Sequence, residues 1–136
     1  IAIDSILEKH GLTKTDSDYT ADDFLKANEI VIPHAKKLLS EDKIVIFDGN
    51  FYFKKQIDHL IKNINAAHFV FTLKAPLETC IERDKNRKQG YGPEAAEAVY
   101  HLVSKFDYGT IIDTSKKNIE QTVKEILSYV LKTSEK

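Results

Sequence analysis

Arg83 and Arg87 stand four residues apart in a chain whose other eighteen basic residues are all lysines. Four residues is about one helical turn, so the spacing predicts two guanidiniums on one helix face. Like charges in that arrangement cost roughly 0.2–0.5 kcal/mol. Thr79, not an acid, lies one turn before Arg83, and Asp84 is placed to relieve Arg87. Planar forks of N–H donors suit phosphate or carboxylate better than an ammonium does. The pair therefore reads either as an oxyanion clamp or as a solvated helix face with a few exposed ion pairs. The next segment, KQGYGPEAAEAVY, sets Tyr91 between Gly90 and Gly92 and opens a helix at Pro93. It reads either as a lid hinged at the glycines or as an ordinary helix–helix turn.

Three carboxylates fall in or beside short apolar runs: Asp4, Asp48 and Asp113. Parallel sheets bind ligands just outside the carboxyl ends of their strands. A carboxylate there can hold Mg²⁺ through water or accept a proton from a substrate hydroxyl. It can equally cap a neighbouring helix or turn. Asp113, followed by Thr114 and Ser115, reads as the capping kind. The five histidines, His10, His34, His59, His68 and His101, have no metal-ligand spacing, which argues against zinc. Cys80 sits on an apolar helix side and reads as core. No Gly-x-Ser-x-Gly nucleophile pattern is present.

The elements that must position these groups follow from hydrophobic spacing. Ile1 to Leu7 reads as a short buried strand carrying Asp4, and Gly11 to Tyr19 as a loop. Thr20 is the expected N-cap of a helix with Asp22 and Asp23 in its first turn and Pro33 inside it. Lys43 to Asp48 (KIVIFD) and His68 to Leu73 (HFVFTL) read as strands buried on both faces. Helices are expected over Phe53 to Ile64, from Pro76 onward, and from Pro93 to about Lys105. Thr110 to Ile112 reads as a last strand, and Asn118 to Leu131 as a closing amphipathic helix. The order β-α-β-α-β-α-α-β-α predicts an α/β fold of three layers, α/β/α, with a mainly parallel sheet. Without a repeat or linker, residues 1–136 read as a single domain.

Composition bounds the function. The chain has 136 residues, a formal net charge of −1 and 42% hydrophobic residues. That size supports a continuous core. The charge balance argues against a broad grip on nucleic acid or an anionic membrane. One cysteine allows no internal disulfide, which points to a cytoplasmic location. No apolar run approaches the roughly 20 residues that span a bilayer.

Taken together, the strand with Asp4, IVIFDGN, HFVFTLKAP, ETCIERDKNRK, the Gly-Tyr-Gly loop and TIIDTS resemble the small P-loop kinases. That group includes nucleotide, shikimate and gluconate kinases and their predicted-kinase relatives. The resemblance covers nearly the whole chain and is most specific over Phe69 to Arg87. It implies a kinase-like fold with a lid at about residues 83–105, and an ATP-dependent phosphotransferase acting on a small hydroxyl- or phosphate-bearing acceptor. Its cofactors would be ATP and Mg²⁺. Carried over by position, Arg83 and Arg87 become the catalytic phosphate clamp, and Asp4 the catalytic carboxylate at the acceptor. Asp48 becomes the Mg²⁺- or substrate-side carboxylate, with Gly49, Asn50 and the lid's Tyr91 beside the acceptor. Thr114, Ser115 and Lys116 fall in the segment that packs near the adenine. The family's G-x-x-x-x-G-K-[ST] loop is absent from these residues. The strand-like start and the lack of a methionine predict that a first strand, that loop and a first helix precede Ile1. Two other functions fit the same resemblance: a non-catalytic nucleotide-binding or regulatory module, and an RNA- or tRNA-directed kinase using lysines such as Lys54, Lys55, Lys116 and Lys117.

Overall fold

The computed structural model describes residues 1–14 and 18–134. Part of the Gly11–Tyr19 loop, residues 15–17, lies outside the described residues. The protein is a mixed α/β structure whose contacts fall into two compact units, Ile1–His68 and Phe69–Lys136. Each is described by itself.

The first unit contains α1 (Ile3–Lys9), α2 (Ala21–Ser40) and α3 (Lys54–Asn63). Where a strand is expected over Ile1 to Leu7, the chain is helical from Ile3. Ile3 and Leu7, one turn apart, are both buried, and Asp4 sits in the first turn, where a carboxylate suits the helix dipole. The spacing of three to four residues outweighs the strand-like look of the first three. α2 starts as expected: Thr20 is its N-cap, and the Thr20 N–H donates to Asp23 Oδ2 at 2.8 Å. Phe24, Ala27, Val31, Ile32 and Ala35 form its buried stripe, and the helix continues through Pro33.

The KIVIFD run, expected as a buried strand, is not one; the chain runs past α2 with one isolated parallel bridge, Ala2 to Asp48. The Ile3 N–H donates to the Asp48 carbonyl and the Asp48 N–H to the Ile1 carbonyl, both at 2.9 Å. Val45 and Phe47 pack against Ile32, Ala35, Leu60 and Ile64, while Ile44 and Ile46 are 91% and 71% exposed. The alternation of a strand is present, but the partner that a ladder requires extends for only a few residues.

The second unit is built on a parallel pair. β1 (Phe71–Lys74) and β2 (Thr110–Asp113) run in register from Phe71↔Thr110 to Lys74↔Asp113. α4 (Leu77–Lys85) and α5 (Pro93–Val103) pack together between them in sequence, and α6 (Ile119–Ser134) packs on β2. Pro76 and Gly92 cap α4 and α5, leaving Pro93 at the first helical position, where its missing N–H costs nothing. Ile112, fully buried, is the centre of the β1–β2 pair. The described structure therefore holds one two-stranded parallel sheet and six α-helices.

Candidate functional site

In the second unit the sheet ends and α4 meet. Lys74 is the last residue of β1, and Thr114 follows directly on β2. The Thr114 N–H and hydroxyl both donate to the Lys74 carbonyl, at 2.8 and 3.0 Å. This ties the two strand ends together beyond the last ladder pair. Arg83, near the end of α4, points to that junction. Its Nη1 donates to Thr114 Oγ1 at 2.8 Å and its Nη2 to the Thr114 carbonyl at 2.5 Å. Thr114 is buried, whereas Arg83 is largely exposed.

Arg87 differs. α4 ends at Lys85, so Arg87 falls in the turn beyond it and does not share a helix face with Arg83. The Arg87 N–H closes that turn on the Asp84 carbonyl at 3.1 Å. Its side chain is exposed and has no partner among the described residues. The expected repulsion between the guanidiniums on a common face is thereby avoided.

The turn owes its shape to Asp84, which the spacing suggested only as relief for Arg87. The Asp84 carboxylate is buried and accepts from the Tyr91 N–H, at 3.1 and 3.0 Å to its two oxygens, and from the Gly92 N–H at 2.9 Å. Gly92 has a φ of 95°, a region that glycine enters without strain. A Cβ on Gly90 would lie 2.5 Å from the Asp84 carbonyl oxygen, so a glycine is required there too. Tyr91 itself projects into solvent, 80% exposed. The signal for Asp84 was an acid set just before a Gly-Tyr-Gly turn, but sequence alone does not reveal that it is buried.

The loop after β2 behaves as a capped turn. Asp113 Oδ1 accepts from the Ser115 hydroxyl at 2.6 Å and from the Ser115 N–H at 2.9 Å. These bonds hold the Asp113 carboxyl below the usual carboxylate range. Ser115 is thus engaged with Asp113, and Lys116 is exposed.

In the first unit the bridge joins residues 1–3 to Asp48, so the chain immediately before Asp4 runs beside Asp48, far from it in sequence. Gly49 allows the approach: a Cβ there would lie 3.1 Å from Ile3 Cβ. The Asp48 side chain is exposed, and Gly49 and Asn50 are half-buried. The structure therefore brings Ala2 and Ile3, next to Asp4, against Asp48 and Gly49 in one unit, and Arg83 against Thr114 in the other.

Among the described residues, no three His, Cys, Asp or Glu side chains cluster as metal ligands. No described helix is long and apolar enough to cross a membrane. Cys80 is half-buried, its thiol facing the Ala75 carbonyl at 3.8 Å.

No curated protein and no solved structure matches the chain. A family described as chromatin associated protein KTI12, related to the P-loop kinases, matches residues 6–110. Asp48, Gly49, Asn50, Arg83, Arg87 and Tyr91 lie inside that span, while Asp4, Thr114, Ser115 and Lys116 lie outside it. Since the match takes in well over half of the sequence, the chain belongs to the chromatin associated protein KTI12 family.

Proposed function

We propose that the protein is an ATP-dependent phosphotransferase acting on a small hydroxyl- or phosphate-bearing acceptor. The observation that carries this reading is Arg83, held at Thr114 beyond the carboxyl ends of β1 and β2, with the exposed Arg87 four residues further along the chain. Arg83 is anchored at the strand junction, and the Arg87 guanidinium extends unpaired from the adjoining turn. Both suit charge developing on transferring phosphoryl oxygens, where fixed donors contribute most. ATP would supply the transferred group. The family's relationship to P-loop kinases supports the same chemistry.

The carboxylates of the first unit fit supporting roles. The Asp48 side chain is exposed and has no hydrogen-bond or ion-pair partner among the described residues, so its carboxylate oxygens suit Mg²⁺ held through water. Asp4, in the first turn of α1, suits the orientation or deprotonation of an acceptor hydroxyl. In the second unit, the resemblance to the small P-loop kinases would put Lys116, exposed in the loop beyond β2, near the nucleotide.

The test is ATP consumption by the complete gene product across a panel of nucleotide and metabolite acceptors. Arg87→Ala is expected to lower kcat by roughly 10²-fold or more, the scale of losing one transition-state donor. Its unfolding midpoint should stay close to wild type, because the side chain is exposed and makes no hydrogen bond or ion pair among the described residues. Unchanged turnover in Arg87→Ala would remove this arginine from the mechanism. The family description favours a second reading, a nucleotide-binding module that associates with chromatin assemblies without transferring phosphate. With a net charge of −1, such association would run through proteins rather than DNA. Binding of MgATP with no turnover on any acceptor would select it.

A further inference from the structure

We infer that Thr114 is the positioning residue for Arg83, fixing its guanidinium so that the outward edge receives a phosphate of the nucleotide. The inference rests on the phosphotransferase reading and names the device that orients its anchored arginine.

The geometry is specific. A guanidinium has five N–H donors arranged along distinct edges. Arg83 turns its end-on edge, one N–H from each terminal nitrogen, to the Thr114 hydroxyl and carbonyl. The side-on edge, Nε–H with the second Nη2–H, has no partner among the described residues. That edge matches two oxygens of a phosphate. A phosphate can therefore dock without breaking either bond to Thr114, so the contact orients the arginine instead of sequestering it.

Thr114 is itself firmly held. Its N–H and hydroxyl donate to the Lys74 carbonyl at 2.8 and 3.0 Å, and its carbonyl also accepts from the Lys117 N–H at 3.1 Å. The hydroxyl donates to one strand end and accepts from the arginine, so its hydrogen-bonding capacity is used in both directions. Valine has the same shape and lacks both interactions; serine retains them.

The first experiment needs no nucleotide. Arg83 and Arg87 are the only arginines, so isotopic labelling of arginine yields two guanidinium signal sets. In the wild type one set, Arg83, should show hindered rotation with separate Nη signals, and the other should be averaged. Thr114→Val should speed that rotation roughly tenfold, the worth of a hydrogen bond to a charged group, and Thr114→Ser should restore it. Two averaged sets in the wild type, or no response in Thr114→Val, would overturn the inference.

The second experiment titrates MgATP into the complete gene product. Thr114→Val should weaken binding roughly tenfold, while adding nothing in an Arg83→Ala background. Equal weakening in both backgrounds would make Thr114 merely structural and overturn its positioning role. A wild type that binds no nucleotide overturns the phosphate assignment and the phosphotransferase reading with it. The arginine signals then decide the Thr114–Arg83 anchor alone.

Discussion

Two apolar runs that look alike in sequence have different fates, one in each unit. HFVFTL leads into β1, which pairs along its whole length with β2. KIVIFD leads only to a single bridge at Asp48. Both are rich in β-branched and aromatic residues, so intrinsic preference does not separate them. Partners do. The second run meets TIID in full register, and Thr114 then fastens the two ends. The first meets only residues 1–3 before α1 turns away. β-propensity nominates a strand, and a non-local partner makes it one.

The contrast can be broken most sharply by truncating one isoleucine from each region. Ile112 in β2 is fully buried, so Ile112→Ala should cost about 2–5 kcal/mol, cavity included. Ile44 is 91% exposed, so Ile44→Ala should stay within about 0.5 kcal/mol of wild type. Urea unfolding of the two variants measures both. A loss at Ile44 matching that at Ile112 would mean the first run is buried in solution, and the comparison would fail.

The same logic explains what was legible beforehand. Local signals read well. Thr20 with Asp22 and Asp23 announced α2, Pro93 announced α5, and the spacing of Ile119, Val123 and Leu127 announced α6. Failures came where the outcome depended on distant chain. The first residues look extended, yet Ile3 and Leu7 are buried on one helical face. Arg87 looked like a continuation of the Arg83 face because nothing local shows that Asp84 ends the helix by capturing Tyr91 and Gly92. At the candidate site, residue types and their order were readable. The contact between Arg83 and Thr114 was not, since it joins groups 31 positions apart.

Asp84 offers the next sharpening, within the second unit. Its carboxylate accepts two backbone N–H groups with no cation beside it in those bonds. Asp84→Asn replaces one acceptor oxygen with an N–H donor that must face another donor. The buried mismatch should cost about 1–3 kcal/mol. Amide exchange at Tyr91 and Gly92 should quicken before global unfolding does. Unchanged protection at both amides would show that the turn is held by something other than Asp84.

The smallest effect belongs to the first unit, where the comparable buried acid is paired with a charge. Lys14 Nζ donates to both oxygens of Asp23 at 2.9 Å, and this contact, with the Thr20 N–H, lowers the Asp23 pKa from 3.8 to about 2. A carboxyl with a depressed folded pKa stabilises the protein above its unfolded value and loses that contribution as pH falls through the folded one. Wild-type stability should therefore decline between about pH 4 and pH 2. Lys14 is 42% exposed, so solvent screening keeps the pair's worth at roughly 0.5–1 kcal/mol. Lys14→Met should lower stability by that amount at pH 7 and flatten the acid decline. It should not abolish the decline, because the Thr20 N–H and hydroxyl still favour the charged carboxylate. Urea unfolding at a series of pH values separates the outcomes. A Lys14→Met curve parallel to wild type would assign the acid sensitivity to other groups and leave the helix cap, not the ion pair, as what holds the start of α2.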